Sequence, residues 1–317
     1  MKVSVLIPVY GVERYIEACV RSLMEQTYED IEFIFVNDCT PDESISLLQQ
    51  TVNQYPDRLH QVRIIEHPEN KGLGAARQSA LQAATGDAVL IVDSDDYISP
   101  QAVELLVKKM DDEHADIVDG GFAKVTNGDT TQHITPPHIS TSSYLKRIMC
   151  QNIESHHIWG RLIARSLFAN HGINFHEGID YCEDFSVLPL LLINGTRSWI
   201  DDTIYFYRDD NPNSYTNNIS TKSAISFFKA NQHIGTSMMS HQLWTKYRNA
   251  TEIGWIYVQR FARQFNIDRT VLDQHFTLKP TNPLLKSLYS MMRSKHVPKS
   301  LAIFLYKAVR RVYLSVV

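Results

Sequence analysis

Along the first 125 residues, short unbroken apolar runs alternate with segments in which apolar positions return every three or four residues. Residues 3–7 and 31–36 are rich in β-branched and aromatic side chains and are followed by turn-forming residues, the pattern of strands buried in a parallel sheet. Between them Ile16, Val20, Leu23 and Met24 fall on one helical stripe, with Glu13, Arg14, Glu17, Arg21 and Glu25 on other faces. Strand, helix and strand make a βαβ unit. The alternation continues: Ile45, Leu48 and Val52 mark a second helix, 62–65 a strand, 76–84 a third helix and 88–92 another strand. Ser99 is predicted to cap a helix that has Pro100 at its first position and runs through Met110, and residues 116–125 read as a further strand. The pattern predicts an α/β fold with a mostly parallel sheet flanked by helices.

From 126 to 142 the periodicity stops, and Thr, Asn, Gly, His and the pair Pro136-Pro137 predict a loop or boundary. An aromatic and histidine-rich stretch follows, then a helix centred on 185–193, a strand at 203–207 and a polar loop at 208–221. The remainder reads as a helical extension broken near Pro280 and Pro283 and again at Pro298.

With 44% hydrophobic and 21% charged residues over 317 positions, the composition is that of a soluble globular protein, and no stretch approaches a membrane span. Cys19, Cys39, Cys150 and Cys182 lie far apart without CxxC spacing, which argues against a zinc site or a disulfide framework. The first apolar run is too short for a signal peptide, so a cytosolic protein is expected. The net charge of −4 hides an asymmetry: no acidic residue follows Asp273, and residues 274–317 carry +8 against −12 for the rest. Within that basic tail, Leu284, Leu285, Leu288, Met291 and Met292, then Leu301, Phe304, Leu305, Ala308, Val309 and Val312, recur at helical spacing. This is the pattern of an interfacial helix, which suggests docking on the inner leaflet of a membrane; helices that pack on the catalytic domain or form a homodimer are the alternative. An acidic body with basic residues confined to one tail fits nucleic acid poorly.

In an open α/β sheet, ligands bind beyond the carboxyl ends of the strands. The residues there are Pro8, Val9 and Tyr10 after the first strand, Asn37-Asp38-Cys39-Thr40-Pro41-Asp42 after the second, and Asp93-Ser94-Asp95-Asp96 after the fourth. Three carboxylates within four residues repel one another and call for a cation. Hard oxygen ligands suit Mn2+ or Mg2+, which take their remaining ligands from phosphate and water. A solvated acidic turn capping the next helix is the plain alternative. Asp38 can accept from a base N–H or a ribose hydroxyl, or close an Asx turn, whereas Asp42 fits a helix N-terminus. Glycines in Asn70-Lys71-Gly72-Leu73-Gly74-Ala75-Ala76-Arg77 open a helix whose N–H groups, with Lys71 and Arg77, can receive phosphate; alone this would be an ordinary loop.

In their order and spacing, residues 5–10, Val36-Asn37-Asp38, residues 70–77 and residues 93–96 resemble family-2 glycosyltransferases of the GT-A fold. Trp159-Gly160-Arg161-Leu162, Glu183-Asp184-Phe185 and Tyr205-Phe206-Tyr207-Arg208 are similar to the acceptor half of bacterial members that build surface polysaccharides. The chain departs from the family in having Asn37-Asp38-Cys39-Thr40 where Asp-Asp-Gly-Ser is common, and Arg161 where Lys is frequent.

The resemblance implies a nucleotide-sugar half at 1–125, an acceptor half at 126–221 and a helical region at 222–317. It implies that Pro8, Val9, Tyr10 and Glu13 lie by the nucleotide, that Asp38 recognises uracil, and that Lys71, Gly74 and Arg77 lie by the diphosphate. Asp93, Ser94 and Asp95 would hold ribose and diphosphate, and Asp95, then Asp96, the metal. The implied reaction is inverting transfer from a UDP-sugar to a hydroxyl of a saccharide or lipid-linked saccharide. Glu183 and Asp184 open an apolar helix whose dipole keeps a carboxylate ionised, and Asp184 is the first choice for general base. Two inert helix-start carboxylates are the alternative. His156, His157 and His176 are three of thirteen scattered histidines and carry no assignment; Trp159 and Tyr181 can stack on sugar rings or pack in a core. Two rival functions are a nucleotidyltransferase, whose usual Gly-rich loop after the first strand is missing here, and a non-catalytic sugar-nucleotide-binding protein.

Overall fold

β1 (Val3–Val9) is buried over its whole length and pairs in parallel with β2 (Ile31–Asn37) on one side and β4 (Ala88–Ile91) on the other. β2 in turn pairs in parallel with β3 (Val62–Glu66). Consecutive buried side chains explain why these strands read as apolar runs rather than alternations. The crossovers are α1 (Ile16–Met24), α2 (Ser44–Val52) with a short 3-10 helix (Pro56–Gln61), and α3 (Leu73–Ala83). α1 buries Ile16, Cys19, Val20, Leu23 and Met24, which includes every member of the stripe its spacing predicts.

The computed structural model describes residues 1–151, 156–211 and 219–315, so residues 212–218 of the polar loop predicted at 208–221 lie outside the described residues. The sheet continues through β5 (Tyr97–Ile98), β6 (Ile117–Thr126), β7 (Asp129–Ile134), β8 (Arg161–Ala164) and β9 (Arg197–Arg208), with α4 (Ala102–Glu113) and α6 (Arg165–His171) in the intervening chain. Its order is β3-β2-β1-β4-β8-β6-β9-β5, with β7 pairing to β6. β8 is antiparallel to both β4 and β6, and β9 is parallel to β6. Two reversals through β8 restore the original direction, so β1, β2, β4, β6 and β9 end at the same edge.

Three local predictions need correction. The helix expected from Ser99 and Pro100 opens at Ala102, because the preceding segment is held to other chain: the Ser99 N–H donates to the Ile204 carbonyl (2.9 Å), and the Thr27 N–H donates to the Pro100 carbonyl (2.9 Å). The stretch from 126 contains a β6–β7 hairpin, turned by Asn127 (φ 52°) and Gly128 (φ 88°), and not only a loop. An Asn-Gly pair is the sequence signal for such a turn. β9 spans twelve residues instead of five, interrupted where the register to β6 shifts near the exposed Asp201 and Asp202.

The chain divides into two compact units, Met1–His138 with Ile158–Gly178 and Asn194–Asn217, and Ile139–His157 with Ile179–Ile193 and Asn218–Val317. They interleave in sequence, unlike the three consecutive segments expected. The first unit holds the sheet. The second consists mainly of α5 (Thr141–Met149), α7 (Glu183–Asn194), α8 (Thr221–Ser240), α9 (Trp244–Gln264), α10 (Arg269–His275), α11 (Pro283–Arg293) and α12 (Lys299–Ser315). α9 is packed by α5, α8, α11 and α12. Gly254 lets α5 approach closely: a Cβ there would sit 2.3 Å from the Met149 carbonyl oxygen. α11 buries Leu285, Leu288, Tyr289 and Met292, so three of the five residues of its predicted apolar seam are used inside this unit, while Met291 is half-buried and Leu284 is exposed. α12 buries only Ala302 and Tyr306, leaving Leu301, Phe304 and Val312 exposed. No helix among the described residues is long and apolar enough to cross a membrane.

Candidate active site

The loops after β1 and β2 are stitched together. Gly11 (φ 69°) donates its N–H to Thr40 Oγ1 (2.8 Å), Val12 to Ser44 Oγ (3.1 Å) and Glu13 to Asp42 Oδ2 (3.1 Å). Asp42 also accepts from the Ser44 N–H (3.1 Å) and hydroxyl (2.6 Å), the helix-start role its position suggests. Asn37 Oδ1 accepts from the Thr40 N–H three residues on (2.9 Å), whereas the Asp38 carboxylate turns to Lys71 and Gly72 instead of closing an Asx turn. Pro8 and Val9, expected beside a nucleotide base, are buried strand residues. Tyr10 is the member of the trio that projects, at 49% exposure. Glu13 is exposed and accepts from the Glu43 N–H (3.3 Å).

Asp38 is 2% exposed. Its carboxylate accepts from the Lys71 N–H (2.9 Å), the Gly72 N–H (2.8 Å) and His67 Nδ1 (2.7 Å), and His67 Nε2 meets Ser79 Oγ at 2.8 Å. Asp38 therefore holds the turn that opens α3. That turn needs glycine at 72, where φ is 90°. Gly74 is buried in the first turn of α3 and Lys71 is half-buried. Arg77, expected by a diphosphate, is 1% exposed and its Nη2 donates to Asp93 Oδ1 (2.7 Å). This ion pair ties α3 to the acidic turn after β4.

The turn after β4 closes with the Asp96 N–H donating to the Asp93 carbonyl (3.0 Å), and Ser94 is buried within it. Asp93 and Asp95 keep partial exposure. Asp95 Oδ2 accepts from Asn211 Nδ2 (2.8 Å). Burial, then the neighbouring charge of Asp93, pushes the Asp95 carboxyl up to about 6. Asp96, expected beside Asp95 as a metal ligand, turns inward: it is 1% exposed, and it accepts from the Tyr205 hydroxyl (2.7 Å) and the Arg208 N–H (2.8 Å). Burial, then the charges of Asp95 and Asp93, raises the Asp96 carboxyl as well, and burial, then the charges of Asp96, Asp95 and Asp93, raises the buried Cys19 thiol. Among the described residues no cluster of three or more His, Cys, Asp or Glu has metal-holding geometry. The residues do fit a hard divalent ion that takes one or two protein carboxylates and completes its shell from phosphate and water, since two partly exposed, mutually repelling aspartates supply that number.

Three residues of this site had no assigned role in the sequence. Tyr205 accepts the Asp93 N–H (3.1 Å) while donating to Asp96, and Asn211 and Arg208 complete the acidic turn. The Arg208 guanidinium lies over the rings of Tyr15 (5.6 Å) and Tyr97 (5.1 Å). All three lie in or just after β9, which runs in the same direction as β4, so the strand-end rule points to them once that direction is known. Trp159 is a core residue, stacked on Tyr205 (centroids 4.4 Å) and Tyr207 (5.4 Å). Arg161 and Arg197 flank the buried Asp119 inside the sheet, which makes Arg161 structural.

Glu183 and Asp184 belong to the second unit, in the first turn of α7, with Glu183 buried and Asp184 half-buried. Tyr181 packs near Phe261 (6.4 Å), and His156 is bound to the Ile148 carbonyl (3.1 Å) and lies against Phe185. Burial lowers the pKa of His176, which favours its neutral form.

A mostly parallel α/β sheet flanked by helices, with its strand-end loops gathered around an acidic turn, defines a fold of the GT-A type. The profile of glycosyl transferase family 2 matches residues 4–172, over half of the chain, and the chain belongs to that family of glycosyltransferases. It is 34% identical over 223 residues to EpsJ, an uncharacterized glycosyltransferase of Bacillus subtilis strain 168, covering 68% of this chain and 62% of EpsJ. It is 43% identical over 106 residues to a poly(ribitol-phosphate) beta-glucosyltransferase of Bacillus spizizenii, covering 32% of this chain and 16% of that protein. The fold is similar to the crystal structure of S. aureus TarS 1-349 in complex with UDP-GlcNAc (TM-score 0.71, 22% identity), covering 99% of this chain and 91% of that one.

Proposed function

We propose that this chain transfers a sugar from a UDP-sugar to a hydroxyl of a saccharide or lipid-linked saccharide, with inversion, in the synthesis of a surface polysaccharide. The observation that carries the reading is the acidic turn after β4 in a family-2 domain: Asp93 and Asp95 remain partly exposed while Asp96, Tyr205, Arg208 and Asn211 fix them from behind. The UDP donor is supported by the complex of TarS with UDP-GlcNAc, and a polysaccharide acceptor by the poly(ribitol-phosphate) beta-glucosyltransferase relative. The lipid-linked form of the acceptor is favoured by α12, where Leu301, Phe304 and Val312 are exposed among Lys307 and Arg311.

In this reading Asp95, with Asp93, holds Mn2+ or Mg2+, which supplies charge neutralisation for the departing diphosphate. Tyr10 offers an exposed ring to the base. Asp38 orders the Lys71-Gly72 turn through three of its four acceptor positions, and the fourth is assigned to uracil. Lys71 adds positive charge for the diphosphate. Asp184, with Glu183 beside it, is assigned to take the proton of the attacking hydroxyl.

The test is donor hydrolysis and transfer across UDP-, GDP- and dTDP-sugars with Mn2+ or chelator. Asp95→Ala is expected to lose metal-dependent UDP binding. Asp184→Ala is expected to keep that binding and lose transfer by at least about 100-fold. Near-normal transfer by Asp184→Ala overturns the base assignment, and UDP binding without turnover of any donor overturns the enzyme reading.

A further inference from the structure

A cleft of about 550 Å³ lies wholly within the second unit, lined by Arg269, Lys279, Lys286, Arg293, Lys295 and His296. One carboxylate among the described residues stands at ion-pair distance from these cations: Asp273, 2.7 Å from Arg293 and 3.8 Å from Arg269. Asp268 caps α10 through the Thr270 N–H (2.7 Å) and reaches Lys295 only at longer range. Lys279, Lys286 and Lys295 are exposed and have no carboxylate within ion-pair distance among the described residues.

Support for helix ends accounts for only part of this charge. At the end of α11 the Arg263 guanidinium donates to the Met292 carbonyl (3.2 Å) and Arg269 Nη1 to the Arg293 carbonyl (3.2 Å), whereas Lys279, Lys286 and Lys295 make no such bond among the described residues. Lys286 stands near the start of α11, where the helix dipole disfavours a cation. Arg293 is held in place by Asp273, Gln259 and Tyr289, so the cleft has a fixed guanidinium among exposed lysine ammonium groups. Five Lys and Arg cations converging on one carboxylate in a concave site leave an excess of positive charge that concentrates anions, and a guanidinium with several ammoniums matches the oxygens of a phosphate.

We propose that this cleft binds phosphate groups, as a phosphomonoester, a diphosphate or the phosphate of a lipid headgroup. The proposal stands apart from the donor assignment. It is tested with inorganic pyrophosphate in EDTA, by calorimetry, and with vesicles of phosphatidylglycerol or phosphatidylcholine, by flotation. Wild type is expected to bind pyrophosphate or the anionic vesicles, each single Lys→Ala change at 279, 286 or 295 to weaken binding about fivefold, and Lys279→Glu/Lys286→Glu/Lys295→Glu to abolish it. Circular dichroism checks that the triple variant folds. Asp95→Ala is expected to leave this binding unchanged, which separates it from the donor site. Binding of pyrophosphate alone identifies a soluble phosphate as the source, and binding of anionic vesicles alone a lipid headgroup; either supports the cleft. Binding of neither probe, or undiminished binding by the triple variant, overturns it.

Discussion

Tyr205 supports the acidic turn with one hydroxyl, which donates to Asp96 and accepts from the Asp93 N–H, while its ring stacks on Trp159. Burial, then the charges of Asp96 and Asp93, holds its phenol well above the usual range, so the group stays a donor. Tyr205→Phe removes a donor from a buried carboxylate and is expected to lower the unfolding free energy by about 1–3 kcal/mol, read from urea melts. A melt unchanged from wild type would show that Asp96 finds its compensation elsewhere. At this scale the acidic turn was legible because three carboxylates in four residues announce themselves. Arg208 and Asn211 were not, since the bond from Asn211 to Asp95 joins residues 116 positions apart.

At the scale of elements, Glu32 ties the start of β2 to β1 and to the turn before β4. It accepts from the Ser4 and Thr85 hydroxyls, the Thr85 and Gly86 N–H groups and the Lys2 ammonium. Burial pushes its carboxyl up, but these hydrogen bonds outweigh that and hold it at about 2. A carboxyl lowered by folding contributes stability that is fully present above its unfolded value of about 4.3 and is lost as pH falls toward 2. Discounted for water at this partly exposed site, the contribution is on the order of 1 kcal/mol. Glu32→Gln is expected to flatten the fall in thermal stability between pH 4.3 and 2. An acid profile as steep as that of wild type would remove Glu32 from the account. Element type was readable from periodicity in β1 to β4, because each side chain answers to its nearest layer. The start of α4 was not, because distant backbone groups hold Ser99 and Pro100.

For the whole molecule, the decisive feature is a chain that passes repeatedly between two units. Gly254 sits in the second, where the α5 carbonyl of Met149 leaves no room for a Cβ. Gly254→Ala is expected to destabilise by about 1–3 kcal/mol. Hydrogen exchange is expected to rise in α5 and α9 while β1 to β4 keep their protection; equal loss of protection in the sheet would contradict the division into units. Locally coded features were fixed by the residues themselves: apolar runs that must be buried, glycines at positive φ, a dense set of carboxylates that must be compensated, and a basic tail. Tertiary structure decided what depends on non-local geometry. β8 restores the strand direction and brings β9 to the edge where β4 ends, so Asp96 is turned inward by Tyr205 and Arg208 and Asp95 is left partly exposed. Both aspartates have the same side chain and adjacent positions, and the difference between them comes from partners more than 100 residues away.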